Sequence, residues 1–221
     1  MTNDDAVILF DIDGTLVDST YHHALAWQRA FARADLPIPL WRIHRTVGMG
    51  GDKLVGQVAG DDVEESKGDE IRDAWAEEYR EIKAEVRPLP GAVDLVKEVA
   101  DAGYRVALAS SGEKEFSKEA VDMLGLGDVI SLLTTSADVD NSKPDPDLLQ
   151  TTLEKAGGKR AVLVGDTPYD VEAASRAGIA CVTVRTGGFS EGELSEAGAA
   201  LVVDGPEHLA GLDWEQYLRE V

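Results

Sequence analysis

The sequence predicts an α/β fold in which a parallel sheet is covered by helices on both faces. Three observations support it: short β-branched runs alternate with amphipathic stretches, most of these runs are apolar throughout, and one long interval has only helical patterns. Strands buried on both faces lack the polar alternation of half-exposed strands, so continuous apolar runs indicate helices on either side. We therefore predict a doubly wound sheet with a small helical unit attached.

Six segments have the composition of buried strands, and all except the last are continuous apolar runs. They are AVILF (6–10), YRVALAS (104–110), VISLLTT (129–135), AVLVG (161–165), IACVTV (179–184) and, at an edge, ALVV (200–203). Amphipathic stretches near 91–102, 115–124, 146–156, 168–177 and 190–197 predict helices between and after them. This alternation is typical of parallel βαβ units.

The interval 18–87 interrupts the alternation, because it contains no convincing strand. It holds helical patterns such as YHHALAWQRAFARA and the charged EESKGDEIRDAWAEEYREIKAEV. The interval is too long for one crossover helix, so we predict a helical cap domain at 18–87 and a core formed by 1–17 and 88–221. The acidic run 64–85 is expected to be a solvated helix face, and Trp27, Trp75 and Tyr79 to form the core of the cap.

Composition limits the classes of partner. Asp and Glu number 42 against 21 Lys and Arg, for a formal charge of −21 among 221 residues. Nucleic acid and anionic membranes would be repelled, so we expect neither as a partner. We expect the protein to be a monomer or a homodimer. The segment from Met1 to Asp5 is polar, and no apolar stretch approaches the roughly 18 residues of a membrane span, which favours a cytoplasmic location. Cys181 lies inside a strand pattern and is expected to be a buried thiol.

Polar residues follow the predicted strands at the points where these strands end. They are Asp11 and Asp13 after the first, Ser110 and Ser111 after the second, Lys143 in the loop after the third, and Asp166 after the fourth, with Asp170 four residues on. In open parallel sheets the carboxyl ends of strands share one edge, where ligands bind. Converging carboxylates are costly unless a cation lies among them, and oxygen ligands without His or Cys favour Mg²⁺. The pattern predicts a magnesium site.

Four motifs resemble those of the haloacid dehalogenase superfamily of phosphohydrolases. They are DIDGTLVDS, ALASSG, SKPDP and GDTPYDVEAA, in this order. The resemblance covers nearly the whole chain and is closest to the phosphatase branch that includes phosphoglycolate phosphatases and β-phosphoglucomutases. It implies a Rossmann-like core with a helical cap after the first strand. It also implies Mg²⁺-dependent hydrolysis of a small phosphorylated metabolite through an aspartyl-phosphate intermediate.

The resemblance also implies roles for individual residues. Asp11 matches the nucleophile and Asp13 the general acid and base. Ser110, with the backbone N–H groups of Ser111 and Gly112, and Lys143 match the groups that bind the phosphoryl oxygens. The Mg²⁺ ligands would be Asp11, the backbone carbonyl of Asp13, Asp166 and Asp170, the last directly or through water.

Structural explanations compete with some of these roles. Asp and Gly after a strand are ordinary turn residues, so Asp13 to Thr15 alone would not be diagnostic. TPYD also fits a capping box with Thr167 as N-cap, which leaves metal binding and helix capping both open for Asp170. Ser111 is also compatible with a simple turn.

The cap is expected to select the substrate. VGMGGDKL (47–54) resembles a cap specificity loop, and STYHHALAW resembles sugar phosphomutases and places His23 where they have a cap histidine. Arg45 is the nearest substitute for the arginine with which those mutases bind a second phosphate. A phosphosugar mutase is therefore an alternative, and a phospho-aspartate receiver-type module is another. Asp13 argues against dehalogenation and against phosphonoacetaldehyde hydrolysis.

Overall fold

In the computed structural model, which describes residue 3 and residues 5–221, a seven-stranded sheet forms the centre of the molecule. The strands are β1 (Ala6–Phe10), β2 (Arg105–Ala109), β3 (Leu132–Thr134), β4 (Arg160–Gly165), β5 (Ala180–Val184), β6 (Leu201–Val203) and β7 (Arg219–Glu220). Their order is β3-β2-β1-β4-β5-β6, all parallel, and β7 pairs antiparallel with the start of β4. The predicted parallel α/β fold is confirmed. Residues 1, 2 and 4, within the predicted polar N-terminal segment, lie outside the described residues.

The predicted amphipathic stretches form helices. In chain order the helices are α1 (Thr20–Arg33), α2 (Leu40–His44), α3 (Gly51–Ala59), α4 (Asp61–Ile82), α5 (Ala92–Asp101), α6 (Lys114–Leu124), α7 (Asp147–Ala156), α8 (Pro168–Arg176) and α9 (Glu191–Ala197). Two of these, α2 and α3, are further helices in the interval 18–87, and α3 begins inside the segment 47–54 predicted as a loop. Single turns of 3₁₀ helix follow at Lys83–Glu85, Ser136–Asp138, Arg185–Gly187, Pro206–Leu209 and Trp214–Gln216. Strand β7 escapes prediction because its two residues are exposed and polar.

The central strand β1 explains why these strands are apolar throughout. Ile8 and Phe10 face one apolar cluster, which includes residues of α5, and Val7 and Leu9 face the opposite cluster, which includes residues of α7 and α8. All five residues of β1 are fully buried, so neither face has a polar position. The free thiol of Cys181 is likewise buried, as the sequence predicts.

We call residues 18–87 the helical insert, which contains α1 to α4. Most of its buried apolar residues form a cluster of their own that includes Trp27, Trp75 and Tyr79, as the sequence predicts, whereas Val86 packs in a cluster of the core. Phe116 of α6, outside the insert, packs edge-on against Trp75 and Tyr79 at ring-centroid distances of 5.6 and 4.9 Å. A separate apolar cluster is what a cap domain would have, and the division at 17/18 and 87/88 stays a prediction.

Among the described residues, no helix combines the length and apolar character needed to cross a membrane.

Candidate active site

A buried lysine joins three elements at the carboxyl edge of the sheet. The Lys143 ammonium donates to Asp11 Oδ1 at 2.6 Å and to the carbonyl of Ala109 at 2.9 Å, and it lies 2.8 Å from Asp170 Oδ1. Asp11 directly follows β1, and Ala109 ends β2. Because Lys143 is only 1 % exposed, its charge acts in a medium where ion pairs are strong. The structure thus brings Lys143 to the strand-end aspartates.

The two oxygens of Asp170 have different surroundings. Oδ2 accepts hydrogen bonds from the Thr167 hydroxyl at 2.7 Å and the Thr167 N–H at 3.0 Å, which completes a capping box at the start of α8. Oδ1 faces Lys143. Asp170 therefore caps α8 with Oδ2 and faces the charged cluster with Oδ1.

Asp166 has one satisfied oxygen and one without a partner. Thr15 donates its hydroxyl to Asp166 Oδ1 at 2.8 Å. Within the described part of the chain, Oδ2 is buried and accepts no hydrogen bond. A Cβ atom on Gly14 or Gly187 would lie less than 3.0 Å from Oδ2, so both backbone segments approach it closely, and Gly14 also has a φ of +78°.

The cluster carries more negative than positive charge. Burial, followed by the charges of Asp170 and Asp13, raises the pKa of Asp11 to about 7 despite the opposing Lys143. Burial and the charges of Asp170 and Asp11 also raise the pKa of Asp166 well above 3.8. Desolvation opposes the charge on Lys143, but Asp11 and Asp170 outweigh it and raise the pKa of the ammonium. Three carboxylates against one ammonium leave the site short of positive charge.

The same three carboxylates fit a divalent cation. One oxygen each of Asp11, Asp166 and Asp170 lies within 4.8 Å of the others. The unpartnered Oδ2 of Asp166 is a free ligand atom in this group. An all-oxygen donor set suits Mg²⁺, whose charge would offset the repulsion among the aspartates.

Asp13 connects the sheet edge with the helical insert. Its Oδ1 accepts a hydrogen bond from the Ser19 hydroxyl at 2.5 Å and lies 2.9 Å from His23 Nε2. His23 is buried and stacks on Tyr79 at a centroid distance of 4.1 Å. Burial acts to raise the pKa of Asp13, but the charge and hydrogen bond of His23 and the bond from Ser19 outweigh it and hold this pKa below 3.8.

The loop after β2 presents hydroxyl and N–H groups beside Asp13. The Ser110 hydroxyl accepts from the Gly112 N–H at 3.0 Å and from the Ser117 hydroxyl at 3.2 Å. Among the residues described, the buried hydroxyl of Ser111 has no hydrogen-bond partner. A Cβ on Gly112 would lie 3.4 Å from Asp13 Oδ2, so this loop borders the aspartate directly.

A cavity of about 350 Å³ lies between the helical insert and the sheet edge. Of the predicted site residues, it brings together Asp11, Asp13, His23, Ser110, Ser111, Gly112 and Asp166. Lys143 and Asp170 do not line the cavity. Lys143 contacts both Asp170 and Asp11, and Asp11 does line the cavity.

Arg45 does not line this cavity. Its guanidinium pairs with Glu193 and lies over the Phe189 ring at 4.3 Å from the centroid, and its carbonyl accepts from Tyr169. The structure places Arg45 in a contact between insert and core, whereas the sequence predicts it as a residue that binds a phosphate.

Several lining residues were not singled out from the sequence, among them Arg72, Glu113 and Asp140. Arg72 lies in the run interpreted as a solvated helix face, and the lining residues Trp27 and Trp75 were predicted only as core. Helix packing brings these three to the cavity, whereas Glu113 and Asp140 reach it from the loops after β2 and β3. The predicted specificity loop (47–54) contributes most of its residues to the lining, Asp52 among them. Thr15 was predicted only as part of a turn, and that pattern does not indicate its contact with Asp166.

Residues 8–184 match the profile of the family described as "Haloacid dehalogenase-like hydrolase". A phosphoglycolate phosphatase of Pseudomonas syringae pv. syringae is 31 % identical over 206 residues, which cover 90 % of this chain and 76 % of that protein. A validoxylamine A 7'-phosphate phosphatase of Streptomyces hygroscopicus subsp. limoneus is 28 % identical over 194 residues, or 81 % of this chain and 85 % of the other. A solved structure of a hydrolase from Pseudomonas syringae is 31 % identical, with a TM-score of 0.87 over 92 % of this chain and 95 % of that one.

Proposed function

This chain belongs to the haloacid dehalogenase-like hydrolases, and we propose that it is a Mg²⁺-dependent phosphomonoesterase that acts through an aspartyl-phosphate intermediate. The observation that carries the proposal is the position of Asp11. It lines the cavity, contacts Lys143 at 2.6 Å, and has an oxygen within 4.8 Å of Asp166 and Asp170 oxygens. A carboxylate that is open to substrate on one side and faces a buried ammonium on the other suits a nucleophile.

In the first step, a carboxylate oxygen of Asp11 forms a bond to phosphorus, and the bond from phosphorus to the ester oxygen breaks. Lys143 donates to Oδ1 of Asp11 and offsets the negative charge of this carboxylate. The N–H groups after Ser110 would donate hydrogen bonds to the phosphoryl oxygens. Mg²⁺, bound by Asp11, Asp166, Asp170 and the Asp13 carbonyl, would offset the repulsion between carboxylate and phosphate.

Asp13 would protonate the leaving alcohol oxygen in this step. The contacts with His23 and Ser19 favour its carboxylate form, so the acid role needs a rise in the pKa of Asp13. The negative charge of a phosphate ester beside Asp13 acts in that direction. In the second step Asp13 accepts a proton from water, the water oxygen bonds to phosphorus, and the bond from phosphorus to Asp11 breaks to release inorganic phosphate.

The alternatives have weaker support in the cavity. A mutase needs a cation for a second phosphate, and Arg45, the expected candidate, instead pairs with Glu193 outside the lining. A receiver module is disfavoured because the aspartate follows the first strand and lies under a helical insert.

Phosphate release from a panel of about a hundred phosphorylated metabolites and from p-nitrophenyl phosphate tests the proposal. We expect release with Mg²⁺, its loss on chelation, and its recovery when Mg²⁺ is restored. Release that persists after exhaustive chelation would contradict the metal requirement, and no release from any ester would contradict the phosphomonoesterase activity itself. The relatives named above for phosphoglycolate and validoxylamine A 7'-phosphate define two substrates for the panel.

A further inference from the structure

We propose, on the basis of the phosphomonoesterase activity proposed above, that the cavity selects phosphate esters of amino alcohols over phosphate esters of hydroxy acids. The selection comes from unpaired carboxylates in the cavity wall and from the lack of a free cation beside them. It concerns the leaving alcohol, since the phosphoryl group is bound by Asp11 and its neighbours.

Two carboxylates of the lining have no charged partner. Over residue 3 and residues 5–221, neither Glu113 nor Asp140 takes part in a hydrogen bond or an ion pair through its side chain. Burial raises the pKa of Glu113, and Arg80 opposes this only at a distance because Arg80 pairs with Glu115. A protonated amine in the cavity would stabilise both carboxylates, whereas a further carboxylate would be repelled by them.

The one arginine of the lining is already engaged. Arg72 Nη1 donates to Glu64 at 2.8 Å and to the Gly51 carbonyl at 3.0 Å, and Nη2 donates to Asp69 at 2.9 Å. Its positive charge is thus compensated by two carboxylates of its own helix. A carboxylate of the leaving group would have to displace these partners to gain an arginine contact.

The other cationic candidate of the lining is bound to the catalytic end. His23 contacts Asp13 at 2.9 Å, so its positive form is compensated as well. Asp52, a third acidic lining residue besides the aspartates of the sheet edge, accepts hydrogen bonds from Ser142, which leaves its full negative charge in the cavity wall. The charge balance of these lining residues is therefore negative.

The rest of the wall suits a leaving group larger than two carbons. Its apolar members are Trp27, Val47, Met49, Leu54, Trp75 and Val139. The volume of about 350 Å³ falls within the range of pockets that enclose whole small molecules. Trp75 is 6 % exposed, so its ring packs closely within this wall. An amino alcohol of ring size combines these features.

Two series of esters isolate the charge of the leaving group. The first contains the phosphate esters of ethanolamine, ethylene glycol and glycolic acid, and the second the 1-phosphates of glucosamine, glucose and glucuronic acid. Within each series the size is similar and the leaving group is positive, neutral or negative. The measurement is kcat/KM for each ester and its inhibition constant against p-nitrophenyl phosphate, so that an ester that binds without turnover is still ranked.

We expect kcat/KM to fall by about tenfold at each step from the amine to the hydroxyl to the carboxylate ester, which is the size expected for partly screened local charges. In the variant Glu113→Gln with Asp140→Asn, each step should shrink to about threefold or less. The control variant, Glu65→Gln with Asp101→Asn, removes the same formal charge at exposed positions outside the cavity and should keep the full steps. Should the double variant fail to fold, Asp140→Asn alone affects only an exposed residue and should give part of the change.

The outcomes separate this inference from the proposed function. The inference alone is overturned if the enzyme hydrolyses p-nitrophenyl phosphate but its kcat/KM for the glycolate and glucuronate esters equals or exceeds that for the amine esters. The inference is also overturned if the kcat/KM ratios between the esters stay unchanged in the cavity variant. The same holds if these ratios shrink equally in the control variant, because the global charge would then be the cause. Absence of hydrolysis with every ester overturns both proposals.

Discussion

The core side and the insert side of the cavity hold their side chains in different ways. On the core side, Asp11, Lys143 and Asp166 are buried and are fixed by short contacts to strand ends and to one another. On the insert side, Trp27 and Arg72 lie on helices of the insert, whose contacts with the core include the Trp75–Phe116 ring pair and two ion pairs. The first side is held by contacts among its own charged groups, and the second is a surface that can differ in composition without disturbing the sheet.

This difference assigns chemistry to the buried cluster of Asp11, Lys143 and Asp166, and choice of substrate to the rest of the cavity wall, to which the insert and the core loops with Glu113 and Asp140 both contribute. Changes in the cluster or at Asp13 should therefore alter kcat, and changes elsewhere in the wall should alter KM or the ranking of substrates. The four predictions below test this division, from the largest effect to the smallest.

Asp11→Asn should abolish turnover, because an amide is not a nucleophile toward phosphorus. It should also prevent covalent labelling by a phosphate-like fluoride, which we expect on the native enzyme. The matched control is Asp101→Asn, an exposed aspartate at the end of α5, which leads toward the start of β2 and away from the cavity. Native-like phosphate release by Asp11→Asn would show that Asp11 is not the nucleophile.

Asp13→Ala should reduce kcat by roughly 10²–10⁴-fold, the usual contribution of general acid and base catalysis. Its side chain is 25 % exposed, so the substitution should leave the fold intact by circular dichroism. Steady-state kinetics on p-nitrophenyl phosphate measure the loss. An effect confined to KM would show that Asp13 only binds substrate.

Mg²⁺ should raise the melting temperature of the protein, because a ligand that binds only the folded state stabilises it by about 2.7 kcal/mol at a concentration 100 times its Kd. The rise should be absent in Asp166→Asn, which loses one ligand charge while keeping the shape of the side chain. Differential scanning fluorimetry with and without Mg²⁺ makes the comparison. Equal rises in both proteins would place the ion elsewhere.

Arg45→Ala should change KM by less than about fivefold, since an exposed ion pair contributes roughly 0–1 kcal/mol. Glu193→Gln removes the same pair from the other side and should give a similar small change. A direct phosphate ligand would instead produce a large loss in Arg45→Ala alone. Steady-state kinetics of the two variants therefore decide whether Arg45 links insert and core or contacts substrate.

The core side could be predicted from the sequence because its residues are fixed by chain order. Asp11, Ser110 and Asp166 each follow an apolar run, and the parallel sheet carries them to one edge regardless of the details of packing. For Asp170 the sequence left helix capping and metal binding both open; the capping box is confirmed on Oδ2, whereas Oδ1 contacts Lys143 and metal binding stays a prediction.

The insert side could not be predicted in the same way. Arg72 and Trp75 are brought to the cavity by the crossing of helices, which depends on side chains far apart in sequence. Arg45 illustrates the limit, because its position in the chain suggested a phosphate ligand whereas its partners are Glu193 and Phe189. Local patterns predict a helix but not which of its exposed residues meets a neighbouring unit.

The most direct measurement of the central claim is reductive trapping of the intermediate. Native enzyme is mixed rapidly with a phosphomonoester and Mg²⁺, quenched, and treated with borohydride, which reduces an acyl phosphate to the alcohol. Peptide mass spectrometry then locates the modified residue. The account predicts homoserine at position 11 and only when ester is present; modification at Asp13, Asp166 or Asp170, or none in an enzyme that turns over, would contradict it.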